Sequence, residues 1–248
     1  MNSNAQIGFY RSLLGQSTPP TPPFSNLYSM NFDGIDEWFY GSNNPTYYNT
    51  SVVSISLWFK TTDTATKYLY TTSRQYVRLQ GGNKFRFWCY YGPSATNDSL
   101  IVTAPTTWSD GNWHHILAVM DTVLNKQEVF YDGASIGSRT PSATGLSEEL
   151  SFAVGSNVGT GYYFTGNIDE VARWHNTNQS ANISSIYNGG TPSDLNLLAT
   201  QPTNWWRMGE NGNWSGASWD LTSLGIDNTT DLRSINMEIG DRVADTPP

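Results

Sequence analysis

Two adjacent carboxylates, Asp169 and Glu170, lie in the stretch FTGNIDEVARW (Phe164 to Trp174), just after a glycine turn at Gly166-Asn167. Paired carboxylates can act as acid and nucleophile on a glycosidic bond. They can also offer hard oxygen ligands to a cation. A third acidic group, Asp33, sits at an Asp-Gly turn in FDGIDEWF (Phe32 to Phe39), with Asp36 three residues on. His114 and His115 could move protons, but no serine or cysteine stands at a recognisable motif spacing from them. Cys89 is the single thiol.

The element that must position the carboxylate pair reads as a strand. Alternation would put Ile168, Glu170, Ala172 and Trp174 on one face, and Asp169, Val171 and Arg173 on the other. This splits the two aliphatics Ile168 and Val171 between faces. A bulge near Asp169 would return both to one face and aim a carboxylate at a specific target. A regular central strand with a solvated acidic pair is the alternative.

Other segments carry the same period. Val53, Ile55, Leu57 and Phe59 alternate with Ser54, Ser56, Trp58 and Lys60, which predicts a half-buried strand. Phe85, Phe87, Cys89 and Tyr91 alternate with Arg86, Trp88 and Tyr90, so Cys89 reads as core filler. Residues 113–121 are apolar on both faces, as in a central strand covered on both sides. Asp132-Gly133 marks a hairpin between Gln127–Tyr131 and Ser135–Ser138. Only Gln179 to Tyr187 has helical spacing. Trp205 and Trp206 would point to opposite faces of a strand, one into the core and the other exposed or at an interface.

GNIDEVARW, FDGIDEWF, NWHHILAVMD (Asn112 to Asp121) and VFYDG (Val129 to Gly133) together resemble the laminin G-like group of the concanavalin A-like lectin/glucanase superfamily. The resemblance spans roughly residues 27 to 190. It implies an all-β fold: a two-sheet antiparallel β-sandwich of jelly-roll type. NWWRMGENGNWSG, from Asn204, resembles the opening strand and loop of many such domains, yet follows the IDEV strand. The expectation is a circularly permuted sandwich over 27–248, with residues 202–248 supplying its C-terminal strands. A separate C-terminal extension is the alternative.

Composition bounds the partners. The 248-residue chain has 14% aromatic and 14% charged residues, a formal net charge of -8 and a pI near 4.7, which disfavours nucleic acid and anionic membranes. One cysteine excludes an internal disulfide framework, and with three histidines it excludes an ordinary structural zinc site. No apolar run reaches the roughly 20 residues of a membrane span. Residues 1–26 read as an arm: an apolar cluster (Ile7, Phe9, Tyr10, Leu13, Leu14), then the proline-rich QSTPPTPP, a stiff extended spacer. The cluster is the candidate anchor on another protein. The opening residues lack the basic start and unbroken apolar core of a signal peptide, so release by lysis or another route is expected.

The resemblance also implies site residues. Many relatives hold a structural calcium between the FDG loop and the IDEV strand, which carries over to Asp33, the Gly34 carbonyl and Asp169. Lectin-type sites stack sugars on aromatic rings; Trp38, Tyr48, Trp108 and Tyr162 are the candidates. The superfamily's glucanases flank an aspartate with two glutamates, and GNIDEV lacks both outer ones. The sequence therefore points to a non-enzymatic protein. The leading expectation is a structural or adhesion protein of a virus particle, most plainly a bacteriophage head decoration, fibre or tail appendage. Its expected partners are other virion proteins, bound through the arm, cell-surface glycans and further copies of the chain. A secreted or cell-surface carbohydrate-binding module is the alternative, and a glycoside hydrolase the distant one.

Overall fold

The computed structural model describes residues 24–42, 50–91, 96–142 and 151–248. The anchor residues Ile7 to Leu14, and Tyr48, fall outside them. In chain order the first strands are β1 (Ser29–Asp33), β2 (Trp38–Ser42), β3 (Val52–Lys60), β4 (Lys67–Thr72), β5 (Gln75–Gln80) and β6 (Lys84–Tyr91). Next come β7 (Thr96–Thr103), β8 (Trp113–Asp121), β9 (Lys126–Tyr131), β10 (Ala134–Arg139), β11 (Ser151–Val154) and β12 (Thr165–His175). A short helix, α1 (Ile183–Tyr187), precedes β13 (Asn204–Trp206), β14 (Gly212–Trp214), β15 (Trp219–Leu221), β16 (Leu232–Ile235) and β17 (Arg242–Val243).

These strands form two sheets. The first runs β10-β9-β8-β3-β12-β1-β17, with β13 also paired to β12; the second runs β14-β15-β16-β2-β11-β4-β5-β6-β7. All pairings are antiparallel among the described residues. The protein is thus an all-β sandwich of two antiparallel sheets with little helix. The turn after Asp33, with Gly34 at φ 80°, carries the chain from the first sheet to the second. Gly34 also lies against Thr165, whose Oγ1 would meet an added Cβ at 2.0 Å.

The inward phases of the strands meet between the sheets. Val53, Ile55, Leu57 and Phe59 of β3 face Phe85, Phe87 and Cys89 of β6 across one core, and each is at most 1% exposed. The outward phase of β3 is covered as well: Trp58 packs near His115 and stacks on Tyr187. Leu117, Val119, Trp174, Ile186, Leu195 and Trp205 form a second apolar cluster on that outer face. The half-buried expectation for β3 is therefore corrected, because α1 and the segment after it cover the sheet's outer side. Burial of β8 on both faces is as its sequence indicated.

The bulge in β12 is present. Asp169 pairs with Trp58 but Ala172 with Ser56, so two residues of β12 face one of β3, and Glu170 takes φ 50°. Ile168 and Val171 consequently share the central core. Arg173 follows Val171 inward, where its Nη1 donates to the Tyr70 hydroxyl at 2.6 Å. β1 pairs with β12 before the bulge, from Thr165 to Ile168, and β13 pairs after it, from Val171 to Arg173. Residues 204–243 supply β13 and β17 to the first sheet and β14, β15 and β16 to the second. Trp205 and Trp206 do point to opposite faces, but both are buried, Trp205 in the outer cluster and Trp206 in the core. The expectation that one would be exposed or at an interface is corrected: Trp205 is covered within the chain, Phe24 stacking over it with ring centroids 6.2 Å apart.

Candidate functional site: an aromatic and cationic sheet face

The outer face of the second sheet carries the most distinctive surface chemistry. On β5 the outward residues are Tyr76, Arg78 and Gln80; on β6 they are Arg86, Trp88 and Tyr90. Their inward neighbours Val77, Leu79, Phe85, Phe87 and Cys89 are in the core, so alternation alone turns the rings and guanidinium groups outward. Tyr76 stacks on Trp88 at 5.0 Å and 14° between planes, as cross-strand partners do. Tyr68 of β4 meets Tyr76 edge-on at 5.0 Å, and Tyr90 continues the row 6.0 Å from Trp88. Tyr162, 57% exposed and at φ 55° on the loop before β12, closes the row 5.7 Å from Tyr68.

Cations are threaded through this row. Arg78 lies 5.3 Å from the Tyr76 ring centre and 5.6 Å from that of Tyr68, Arg86 5.7 Å from that of Tyr76, and Arg74 4.3 Å from that of Tyr90. Such rings offer apolar faces for stacking, and the guanidinium groups offer donors in a fixed fork. On β2, Trp38 and Tyr40 form a second aromatic pair of the same sheet at 5.7 Å, with the Trp38 ring resting over Gly159.

Of the four aromatic candidates, Trp38 and Tyr162 lie at this sheet, and Tyr48 lies outside the described residues. Trp108 is 1% exposed and belongs to the core. With Thr64, Asn83 and Ser109 it lines an open depression of about 260 Å³, but it shows no ring face to a ligand. That assignment is corrected: Trp108 is held inward, its backbone N–H donating to Asn83 Oδ1 at 3.1 Å. Tyr68, Tyr76, Trp88 and Tyr90 were missed. For Trp88 and Tyr90 the signal was the aromatic content of the polar phase of KFRFWCYY, whose apolar phase was already filled by Phe85, Phe87 and Cys89.

The calcium residues do not converge. Asp33 pairs with Thr165, four positions before Asp169, a separation on the order of 13 Å along the strand. Asp33 Oδ1 accepts from the Ile35 N–H at 2.7 Å and so holds its own turn. Asp169 accepts from Asn26 Nδ2 and from the Glu170 N–H, each at 2.8 Å. Among the described residues no group of three or more His, Cys, Asp or Glu is arranged to hold a metal ion. Asp33, Gly34 and Asp169 therefore do not fit a shared calcium, because the strand register sets them at separate places.

The acidic pair does structural work instead. Glu170 accepts from Trp205 Nε1 at 2.6 Å and from Arg207 Nε at 2.9 Å, while Arg207 covers the Phe24 ring at 4.1 Å. Glu210 accepts from the Leu27 and Tyr28 N–H groups, which ties residues 24–28 beside the bulge. Burial raises both carboxylates: Glu170 is pushed up to about 7, and Asp169 well above its usual range, with Glu170 beside it adding to the shift. A cavity of about 10 Å³ beside Glu170 and Ser56 is no larger than one water.

The histidines gain partners that the sequence did not reveal. His115 Nε2 lies 2.8 Å from Ser56 Oγ, yet both groups are buried and desolvation lowers His115 to about 3. A neutral imidazole enclosed with its serine has no access to substrate. His114 bridges Asp110 and Asp132 at 3.1 and 2.8 Å, and these carboxylates raise its pKa in spite of burial.

A sandwich of two antiparallel sheets with little helix is the architecture of the lectin-like jelly-roll class. The chain belongs to the laminin G-type family Laminin_G_3 of the concanavalin A-like lectin/glucanases superfamily, whose profile matches residues 36–184. No curated protein matches it. Among solved structures it is similar to a protein described as carbohydrate-binding from Bacteroides ovatus, at 12% identity and TM-score 0.65. That likeness covers 91% of this chain and 62% of the other. It is also similar to the CBM40 of the Ruminococcus gnavus IT-sialidase, solved with α2,3-sialyllactose, at 12% identity and TM-score 0.51. Here the shares are 66% of this chain and 99% of the module. At these identities the likenesses concern the fold.

Proposed function

We propose that the protein is a non-enzymatic glycan-binding sandwich, and that the outer face of the second sheet is its binding surface. The rings of Tyr162, Tyr76, Trp88 and Tyr90, joined through the buried Tyr68 and interleaved with arginines, are the observation that carries this reading. Sugar rings present C–H faces to aromatic rings and hydroxyls to fixed polar groups. The two carbohydrate-binding neighbours support the same reading. The adjacent carboxylates Asp169 and Glu170 are buried and engaged with Trp205, Arg207 and Asn26, which favours binding over hydrolysis. Trp88→Ala is expected to weaken glycan binding at least tenfold, the scale of an aromatic hot spot. Leu197→Ala, at an 84% exposed position elsewhere, should leave binding unchanged. A titration calorimetry series against a polysaccharide panel measures both; equal affinities would remove this face from the site.

The setting we propose is the surface of a virus particle, with the secreted or cell-surface module as the alternative. Support comes from the apolar cluster Ile7 to Leu14 and its proline spacer. Deleting residues 1–23 should leave the melting temperature unchanged and abolish incorporation into particles, read by immunoblot of purified particles. Normal incorporation of the truncated chain would sink the anchoring role.

A further inference from the structure

We infer that the saccharide bound by this face is anionic, and that Arg78 and Arg86 hold its carboxylate or sulfate groups. The inference rests on the glycan-binding reading and adds the chemical class of the ligand.

Arg78 and Arg86 are directly opposite each other on β5 and β6. Like charges at directly opposed positions of an antiparallel pair repel and destabilise the sheet. The protein's other cations commonly meet carboxylates: Lys60 with Asp245, Lys67 with Asp63, Lys126 with Glu128, Arg207 with Glu170 and Arg233 with Asp220. Arg78 and Arg86 have only neutral partners among the described residues. Arg86 Nε donates to Ser99 Oγ at 2.6 Å; Arg78 donates from Nη1 to the Tyr68 hydroxyl at 3.2 Å and from Nη2 to Gln80 Oε1 at 3.3 Å. Arg78 Nε is a buried donor without a hydrogen-bond partner.

This arrangement is costly in isolation and suited to an anion. Both side chains approach the Tyr76 ring, which with Tyr68 orients the forks without neutralising them. Guanidinium groups remain charged at every physiological pH and match planar or tetrahedral oxyanions bidentately. An anion bridging the pair would cancel their repulsion and accept from the outer nitrogens of both forks. In a chain of net charge -8, a local cluster of unneutralised arginines also attracts such a ligand against the overall field. Arg74, in the turn just before β5 and over the Tyr90 ring, extends the cationic track beyond the pair.

The test uses the full chain with four probes: polygalacturonate (carboxylate), dextran sulfate (sulfate), neutral dextran, and polyaspartate as a polyanion without sugar. Binding to either anionic polysaccharide is expected to exceed that to neutral dextran and polyaspartate, and to weaken as salt rises from 50 to 500 mM. Which polymer wins distinguishes carboxylate from sulfate. Arg78→Gln with Arg86→Gln should reduce it at least tenfold, the scale of losing charge-assisted hydrogen bonds. The single variant Arg86→Gln should melt no lower than the wild type, since repulsion is relieved. Binding of neutral dextran that is unaffected by these variants would overturn the anionic ligand and leave the glycan surface standing. Equal binding of polyaspartate would reduce the face to general anion attraction and overturn the inference. Binding to no polymer would overturn the inference and the glycan reading together, and a lowered melting temperature for Arg86→Gln would show the pair to be structural.

Discussion

Trp206→Ala lowers the unfolding free energy by about 3–5 kcal/mol, the cost of removing a fully buried large aromatic. The side chain is 0% exposed and belongs to the central core. It starts from β13 in the first sheet and reaches Phe152 of the second at 5.0 Å, while its Nε1 donates to the Thr230 carbonyl at 3.1 Å. Truncation therefore opens a cavity between the sheets and strands a carbonyl. Domains of this kind have total stabilities of roughly 5–15 kcal/mol, so the loss is a large fraction. Urea unfolding followed by circular dichroism measures it, with Leu197→Ala as a surface control expected within about 0.5 kcal/mol. A loss below about 1 kcal/mol for Trp206→Ala would mean that residues 204–206 do not complete the core.

Glu170→Ala is expected to cost roughly 3–5 kcal/mol, because removing one partner of a buried pair leaves Arg207 and the Trp205 N–H uncompensated. Glu170→Gln isolates the titration. The Glu170 pKa rises from 4.5 in the unfolded chain to about 7 in the fold. Its protonation thus favours the folded state fully below pH 4.5, and that contribution is lost as pH rises through 7. Asp169, shifted in the same direction, acts with the same sign. Glu37, likewise pushed up to about 7 by burial, adds to the slope, and His114, raised by Asp110 and Asp132, begins to lose its contribution above the ordinary histidine value of 6.5. His115 opposes them: lowered to about 3, it adds stability as pH rises towards 6.5. Glu170→Gln should therefore show a shallower fall in stability between pH 4.5 and 7 than the wild type. Parallel profiles for the two proteins would show that Glu170 does not titrate in this range.

Much of the fold was legible. Period-two alternation placed Phe85, Phe87 and Cys89 inward, and the Asp132-Gly133 hairpin and the both-sided burial of β8 follow from local pattern. The mismatch between Ile168 and Val171 suggested a bulge near Asp169 without deciding against a regular strand, and the register shift between Asp169 and Ala172 decides for the bulge. The family resemblance, carried by short motifs, agrees with the match over residues 36–184.

The site was legible only in fragments. Tyr162 and Trp38 were chosen as loop aromatics, whereas the row that joins Tyr162 to Trp88 requires three neighbouring strands in register. Trp108 resembles an exposed loop aromatic in sequence and lies in the core, because distant strands close around it.

Composition gives the scarcity of charge and thiols directly, and strand periodicity and turn chemistry are readable because they depend on neighbours along the chain. These follow from backbone geometry and the cost of exposing apolar side chains, which act within a few residues. Strand pairing, not local pattern, keeps Asp33 and Asp169 apart, brings Glu170 to Trp205 and Arg207, and sets Arg78 opposite Arg86 without a carboxylate partner among the described residues. These depend on register between strands far apart in sequence, where one residue of slip reverses every side chain. That register is set by packing of the whole core, which no local pattern contains.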